Sequence, residues 1–223
     1  MDFRHEWKHE ISHSDMLAIR QRLRAVAKPD EHAVDGVYQI RSLYFDNLSD
    51  RALREKLDGV SRREKFRIRY YDGDLSVIHL EKKSKVGGLG RKESASLTQE
   101  EAQAIVDGDL SWMLRSQQPL VQELYVKMTT QGLRPKTIVD YMREPFVYAP
   151  GNVRVTLDYD IRTGLRCTDF LNQSCAMIPA GNPPIILEVK WDEFLPSVIR
   201  DVVQLENCRT GSFSKYAACR IYG

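Results

Sequence analysis

The stretch Arg63–Leu97, REKFRIRYYDGDLSVIHLEKKSKVGGLGRKESASL, limits the possible folds more than any other part of the chain. At strand period, Lys65, Arg67, Arg69 and Tyr71 fall on one face, and Phe66, Ile68 and Tyr70 on the other. The Asp72-Gly73-Asp74 turn sends the chain back, and His79, Glu81 and Lys83 then alternate with Ile78 and Leu80. After Gly87-Gly88-Leu89-Gly90 a third strand carries Arg91, Lys92 and Glu93. One face of this meander is crowded with fixed charge, and the other is too apolar to leave in water. An ordinary surface sheet does not combine the two.

The same two-sided pattern recurs along the chain. Residues 3–11 set Phe3, Trp7 and Ile11 against Arg4, Glu6, Lys8 and Glu10. Val37–Asp46 is rich in β-branched and aromatic residues, and Thr137–Tyr148 places Val139, Tyr141 and Arg143 on one face. In Val153–Ile161, Arg154, Thr156, Asp158 and Asp160 alternate with Val153, Val155, Leu157, Tyr159 and Ile161. Ile185–Trp191 sets Glu188 and Lys190 against Leu187, Val189 and Trp191. Helices are expected over Ser14–Ala27, capped by Ser12 or Ser14, and over Ser49–Leu57. Thr98 and Glu101 form a capping box for a helix that runs through Val106 and stops at Gly108. Leu110–Gln131 reads as helix broken at Pro119 and Phe194–Leu205 as one more, and Ser212–Ile221 closes the chain; residues 166–184 are irregular. No repeat or interdomain linker is visible, so residues 1–223 are expected to form a single domain.

About eight strands with one charged and one apolar face permit two arrangements. The apolar faces can form a core while the charges meet water, but the helices then lack apolar surface to cover. Alternatively the sheet closes, helices pack on its apolar outside and the charges point inward. The expectation is therefore an α+β fold: a closed eight-stranded antiparallel β-barrel with helices outside. Like charges 4 Å apart repel by about 4 kcal/mol at an effective dielectric near 20. A charged interior thus calls for a wet lumen filled by anions. Arginine donates two parallel hydrogen bonds to phosphate, and lysine adds a mobile point charge. The few carboxylates (Glu6, Glu10, Glu81, Asp158, Glu188) suit a hard divalent metal, which takes one or two of them plus phosphate oxygens. A triphosphate carrying a metal is the natural guest.

Other chemistries find less support. A net charge of +2 does not mark a general nucleic-acid binder, so no nucleic acid is expected as partner. Cys167, Cys175, Cys208 and Cys219 lack zinc-site spacing and read as reduced thiols. His5, His9 and His13 have metal-site spacing only on a helix; on a strand His5 and His9 share the face of Trp7. The glycine loop lacks the phosphate-loop spacing and is flanked by strands, so it reads as a hairpin connection. Charges at Arg4, His5, Glu6 and Lys8 break any leader-like run, and no stretch is long enough for a membrane span. A cytoplasmic protein is expected.

At these same residues the chain resembles the triphosphate tunnel metalloenzymes, or CYTH superfamily. Within them it is most similar to the catalytic domain of the vacuolar transporter chaperone complex, the polyphosphate polymerase family. The stretches that carry the resemblance are Arg4–Lys8 (RHEWK), Arg41–Asp46 (RSLYFD), Lys65–Tyr71 (KFRIRYY) and His79–Lys83 (HLEKK). They continue with Val139–Phe146 (VDYMREPF), Arg154–Asp158 (RVTLD), Leu187–Lys190 (LEVK) and Ser212–Tyr216 (SFSKY). The resemblance implies an eight-stranded antiparallel tunnel with basic triphosphate ligands at Lys8, Arg67, Arg69, Lys83, Lys92, Arg143, Arg154 and Lys215. Arg91 is the alternative to Lys92 as the inward residue. Lys190, Tyr71 and Glu81 join the expected substrate-binding set. Glu188 matches the carboxylate that holds Mn²⁺ or Mg²⁺; Asp158 is either a second metal ligand or a partner that orients Arg154 or Lys190.

Three functions are compatible with these residues. The first is transfer of the terminal phosphoryl group of ATP onto a growing polyphosphate chain. The second is hydrolysis of tripolyphosphate or a nucleoside triphosphate, and the third is polyphosphate binding without turnover. Phosphoryl transfer asks the protein mainly for in-line positioning and charge neutralisation, which these residues supply.

Overall fold

The computed structural model describes residues 4–87, 89–205, 209–211 and 213–221. Phe3, Gly88, Cys208 and Ser212 lie outside the described residues. The strands are β1 (His5–Ile11), β2 (Lys28–Pro29), β3 (Tyr38–Asp46), β4 (Arg63–Tyr71), β5 (Asp74–Val86) and β6 (Leu89–Leu97). They continue with β7 (Arg134–Tyr148), β8 (Val153–Thr163), β9 (Ile178–Pro179), β10 (Ile185–Trp191) and β11 (Arg209–Thr210). The helices are α1 (His13–Val26), α2 (Arg51–Leu57), α3 (Gln99–Asp107), α4 (Pro119–Gln131), α5 (Ser197–Val203) and α6 (Lys215–Ile221).

Hydrogen-bonded strand order is β11-β1-β10-β8-β7-β3-β4-β5-β6, with β2 on β7 and β9 on β8 off that path. Eight of the strands are seven residues or longer, in agreement with the eight expected. Closure, however, is not observed. Among the described residues no pairing joins β6 to β11, so the ladder has two ends and the sheet is open rather than closed. Alternation fixes which face of each strand is apolar; it does not fix the stagger that would bring last strand to first.

The chain falls into two compact units. The first comprises Met1–Gln39, Tyr141–Ile161 and Asn182–Phe213. Its core joins the apolar faces of β1, β8 and β10 to α1 and α5: Ile11, Val155, Leu157, Leu187 and Val189 meet Met16, Ile19, Leu23 and Ile199. Each such side chain stabilises the unit by about 1.5–3 kcal/mol on burial. Ser12 caps α1 through a reciprocal box with Asp15, placing the helix start at His13. His5 stacks on Trp191 at 5.3 Å, so the odd positions of β1 belong to this apolar side.

The second unit comprises Ile40–Asp140, Arg162–Gly181 and Ser214–Gly223. Here α3 and α4 cover the apolar side of β4, β5 and β6, with Phe66, Ile68, Ile78 and Leu80 against Ala102, Ile105, Val121 and Leu124. Thr98 and Glu101 form the expected capping box, and Gly108 ends α3 in the left-handed region at φ 82°. The segment expected as one broken helix is a short 3₁₀ turn, Met113–Arg115, followed by α4 from Pro119, whose fixed φ suits a first helical turn. Asp72 and Gly73 have φ of 50° and 71°, a two-residue turn that matches the strand twist; an irregularity between Arg69 and Tyr71 then shifts the β4–β5 register, so that Arg69 pairs with His79. α6 starts at Lys215, where the Ser214 hydroxyl accepts from the Ala217 N–H and acts as its cap.

Candidate functional site

In the second unit the register aligns the charged side chains in rows across the strands. Lys65 of β4 faces Lys83 of β5, which faces Lys92 of β6. One row along, Tyr44 of β3, Arg67, Glu81 and Ser94 are abreast; beyond them come Ser42, Arg69, His79 and Ser96. Residues opposite one another share a face of the sheet. Lys65, Arg67, Arg69, Lys83 and Lys92 therefore sit on one face of three adjacent strands around the carboxylate of Glu81, and Arg63 and Lys85 extend that face by a further row. Lys92 rather than Arg91 belongs to this face: its Nζ donates to Glu81 Oε1 at 3.0 Å, whereas Arg91 pairs with Ser84 and Glu93.

Glu81 is buried and organises the arginines. Arg67 donates from Nε (2.7 Å) and Nη2 (2.6 Å) to Glu81 Oε2, and Arg69 Nη1 lies 3.9 Å from the same oxygen. Burial works against the carboxylate charge, but Arg67, Arg69 and Lys92 overcome it and hold Glu81 well below the usual range. Arg69 also donates to Ser42 Oγ at 2.9 Å and lies over the Tyr71 ring at 5.9 Å. Lys215 opens α6, one residue before Tyr216, whose ring stacks on Tyr44 at 5.1 Å.

Tyr44 was not legible as a site residue. Its hydroxyl accepts from Arg67 Nη1 at 2.8 Å, and Lys65 Nζ lies 5.5 Å from its ring centre. Burial alone would raise its pKa, but Arg67, Lys65 and Arg69 bring it down to about 7. The signal was present in the alternation of β3, which puts Ser42 and Tyr44 opposite Arg41, Leu43 and Phe45. Only the pairing with β4 shows what that face meets. Arg41 itself turns to the apolar side, where it is buried in a two-pronged ion pair with Asp140 (2.9 and 2.8 Å).

In the first unit a second charged face is built from β1, β10, β8 and β7. Glu6, Lys190 and Arg154 are abreast, as are Lys8, Glu188 and Thr156, and then Glu10, Ile186 and Asp158. Lys190 Nζ is 2.7 Å and Lys8 Nζ 3.9 Å from Glu188 Oε1; both lysines also reach Glu6, at 3.7 and 3.1 Å. Arg143 grips Asp158 with both prongs (2.6 and 2.7 Å) and lies 3.6 Å from Glu188. Arg154 bonds Asp30 and the Tyr38 hydroxyl, each at 2.8 Å. Four cations here (Lys8, Arg143, Arg154 and Lys190) meet five carboxylates (Glu6, Glu10, Asp30, Asp158 and Glu188), so this face is nearly neutral where that of the second unit is strongly positive.

Burial opposes the charges of Glu188, Arg143 and Lys8, and their partners reverse the effect: Glu188 is held well below the usual range, and Arg143 and Lys8 are raised. Glu188 and Glu6 are in contact between the two lysines. They offer hard oxygens of the kind that Mn²⁺ or Mg²⁺ takes alongside phosphate. Both oxygens of Asp158 accept from Arg143, a partner that the carboxylate orients. Among the described residues no group of three or more His, Cys, Asp or Glu is placed to hold a metal, so phosphate oxygens would complete the shell. No described helix is long and apolar enough to cross a membrane.

Comparison with known proteins bears on the fold and the family. A candidate adenylate cyclase from Bacillus halodurans superposes with a TM-score of 0.51 at 13% identity, over 85% of this chain and 80% of that one. This is a likeness of fold alone. The PH1819 protein of Pyrococcus horikoshii OT3 gives 0.45 at 13% identity, over 90% and 84% of the two chains. A candidate adenylate cyclase from Vibrio parahaemolyticus gives 0.46 at 11%, over 90% and 82%. No curated protein matches. The profile of the VTC domain matches residues 3–221, nearly the whole sequence, and the chain belongs to the VTC domain family.

Proposed function

We propose that this protein is a metal-dependent phosphotransferase that moves the terminal phosphoryl group of ATP onto a polyphosphate chain. The observation that carries the reading is the face of the second unit, where Lys65, Arg67, Arg69, Lys83 and Lys92 surround one carboxylate. Such a surface needs a polyanion to relieve its own repulsion. Arg67 and Arg69 are fixed by Glu81, Tyr44 and Ser42, which sets their guanidinium groups for phosphate oxygens. The lysine row adds charge that follows the phosphate chain.

In the first unit Lys8, Lys190, Arg143 and Arg154 bind further phosphate oxygens, and Asp158 keeps the Arg143 fork pointed. Glu188, with Glu6 beside it, would hold Mn²⁺ or Mg²⁺, which when bound neutralises charge on the transferred group. The protein's own part is alignment of donor and acceptor and exclusion of stray charge.

Incubation with ATP and Mn²⁺ tests the reading. Long polyphosphate supports it. Inorganic phosphate released from ATP or tripolyphosphate, without polymer, would instead make the protein a triphosphatase. Binding with no turnover would make it a polyphosphate-binding module. Glu188→Ala is expected to abolish metal-stimulated turnover; retained turnover would remove Glu188 from the metal site.

A further inference from the structure

We propose that Tyr44 is a phosphate ligand, its hydroxyl donating a hydrogen bond to a phosphate oxygen bound among the cations of the second unit. The inference rests on the triphosphate reading above. Among the described residues the hydrogen bond of the Tyr44 hydroxyl is the one it accepts from Arg67, which leaves its own proton without an acceptor. The side chain is only 3% exposed, and a buried hydroxyl proton left without an acceptor is unfavourable. With Lys65 and Arg67 against the ring and Arg69 in the next row, the acceptor that fits is an anionic oxygen.

The phenol is also held in place. Tyr216 stacks on its other face and is anchored by donation to Asp46 Oδ2 at 2.7 Å; Asp46 in turn accepts from the Ala52 and Leu53 N–H groups of α2. The groups that act on the phenol are therefore Lys65, Arg67 and Arg69 from β4, Glu81 of β5 behind Arg67, Tyr216 of α6, and Asp46 on its own strand. The cations favour loss of the unengaged proton, and the phenol titrates at about 7. A bound polyanion offsets those cations and repels the phenolate, so above that pH binding should draw a proton back onto Tyr44.

The test is calorimetric titration of tripolyphosphate into the wild-type protein and Tyr44→Phe, in buffers of differing ionisation heat, at about one pH unit above and below the midpoint. Phenylalanine keeps the ring and the stack; matching thermal melts check that it folds. The wild type is expected to take up close to one proton per triphosphate at the higher pH, and Tyr44→Phe about none. At the lower pH Tyr44→Phe is expected to bind roughly tenfold more weakly. Weaker binding with unchanged proton uptake would make Tyr44 only a support for Arg67 and overturn the proposal, as would unchanged affinity. Absence of tripolyphosphate binding by the wild type would overturn the underlying triphosphate reading instead.

Discussion

Arg67 and Glu81 stand directly opposite each other on β4 and β5, and two guanidinium nitrogens, at 2.6 and 2.7 Å, converge on one oxygen of the carboxylate. Glu81 also receives Lys92 and lies near Arg69, so one buried anion holds three cations in position. Glu81→Gln should leave those cations facing each other and cost about 3–5 kcal/mol of stability, measured by urea unfolding at neutral pH. The carboxyl is held below its ordinary value of 4.5, so its contribution is present above that pH and lost as pH falls through the folded value. The wild-type advantage over Glu81→Gln should therefore shrink on acidification. An advantage unchanged at acid pH would contradict this role.

The lysine row predicts opposite effects on stability and binding. Like charges directly opposite on adjacent strands destabilise by roughly 0.2–1 kcal/mol, and Lys83 lies between Lys65 and Lys92. Lys83→Gln should raise the melting temperature of the unliganded protein slightly while weakening tripolyphosphate binding and flattening its salt dependence. A variant that loses both stability and affinity would mean that Lys83 serves mainly the fold.

Asp158 tests the first unit. It is fully buried and satisfied by both prongs of Arg143, so Asp158→Asn should destabilise by about 3–5 kcal/mol in chemical unfolding. Arg143→Lys should not restore the geometry, because an ammonium cannot make two parallel bonds. Rescue by lysine would show that charge alone suffices there.

Gly151 provides a control in the turn between β7 and β8. Its φ is 73°, and a Cβ there would lie 2.5 Å from the carbonyl oxygen of Phe194. Gly151→Ala should lower stability by more than about 1 kcal/mol while leaving phosphate affinity in the folded protein unchanged. A loss of affinity without unfolding would place this turn in the binding machinery.

Local rules made much of this legible. The alternation in Lys65–Tyr71 and His79–Lys83 placed Arg67, Arg69, Glu81 and Lys83 on one face, but their register passes through an irregularity between Arg69 and Tyr71 that the Asp72-Gly73 turn does not specify. The capping boxes at Ser12 and Thr98 are also short-range features. What the alternation could not supply is how distant segments meet. Arg41 and Ser42 are neighbours in sequence, yet Arg41 is buried against Asp140 while Ser42 holds Arg69. Tyr44 acquires its surroundings from Arg67 and from Tyr216 near the end of the chain. Asp158 reads equally well as a metal ligand or an orienting partner, and its pairing with Arg143 is a contact between strands that the alternation alone does not show. Closure failed for a related reason: strand pattern specifies faces, not the meeting of first strand with last.

The central claim is that the cation-rich face of the second unit grips a phosphate chain, and the most direct test is calorimetric titration of tripolyphosphate into wild type, Arg67→Ala and Arg69→Ala. Each guanidinium should contribute a charge-assisted pair, so each variant is predicted to lose at least about 1 kcal/mol of binding, roughly a fivefold rise in Kd. Folded variants that bind tripolyphosphate as tightly as the wild type would contradict the claim.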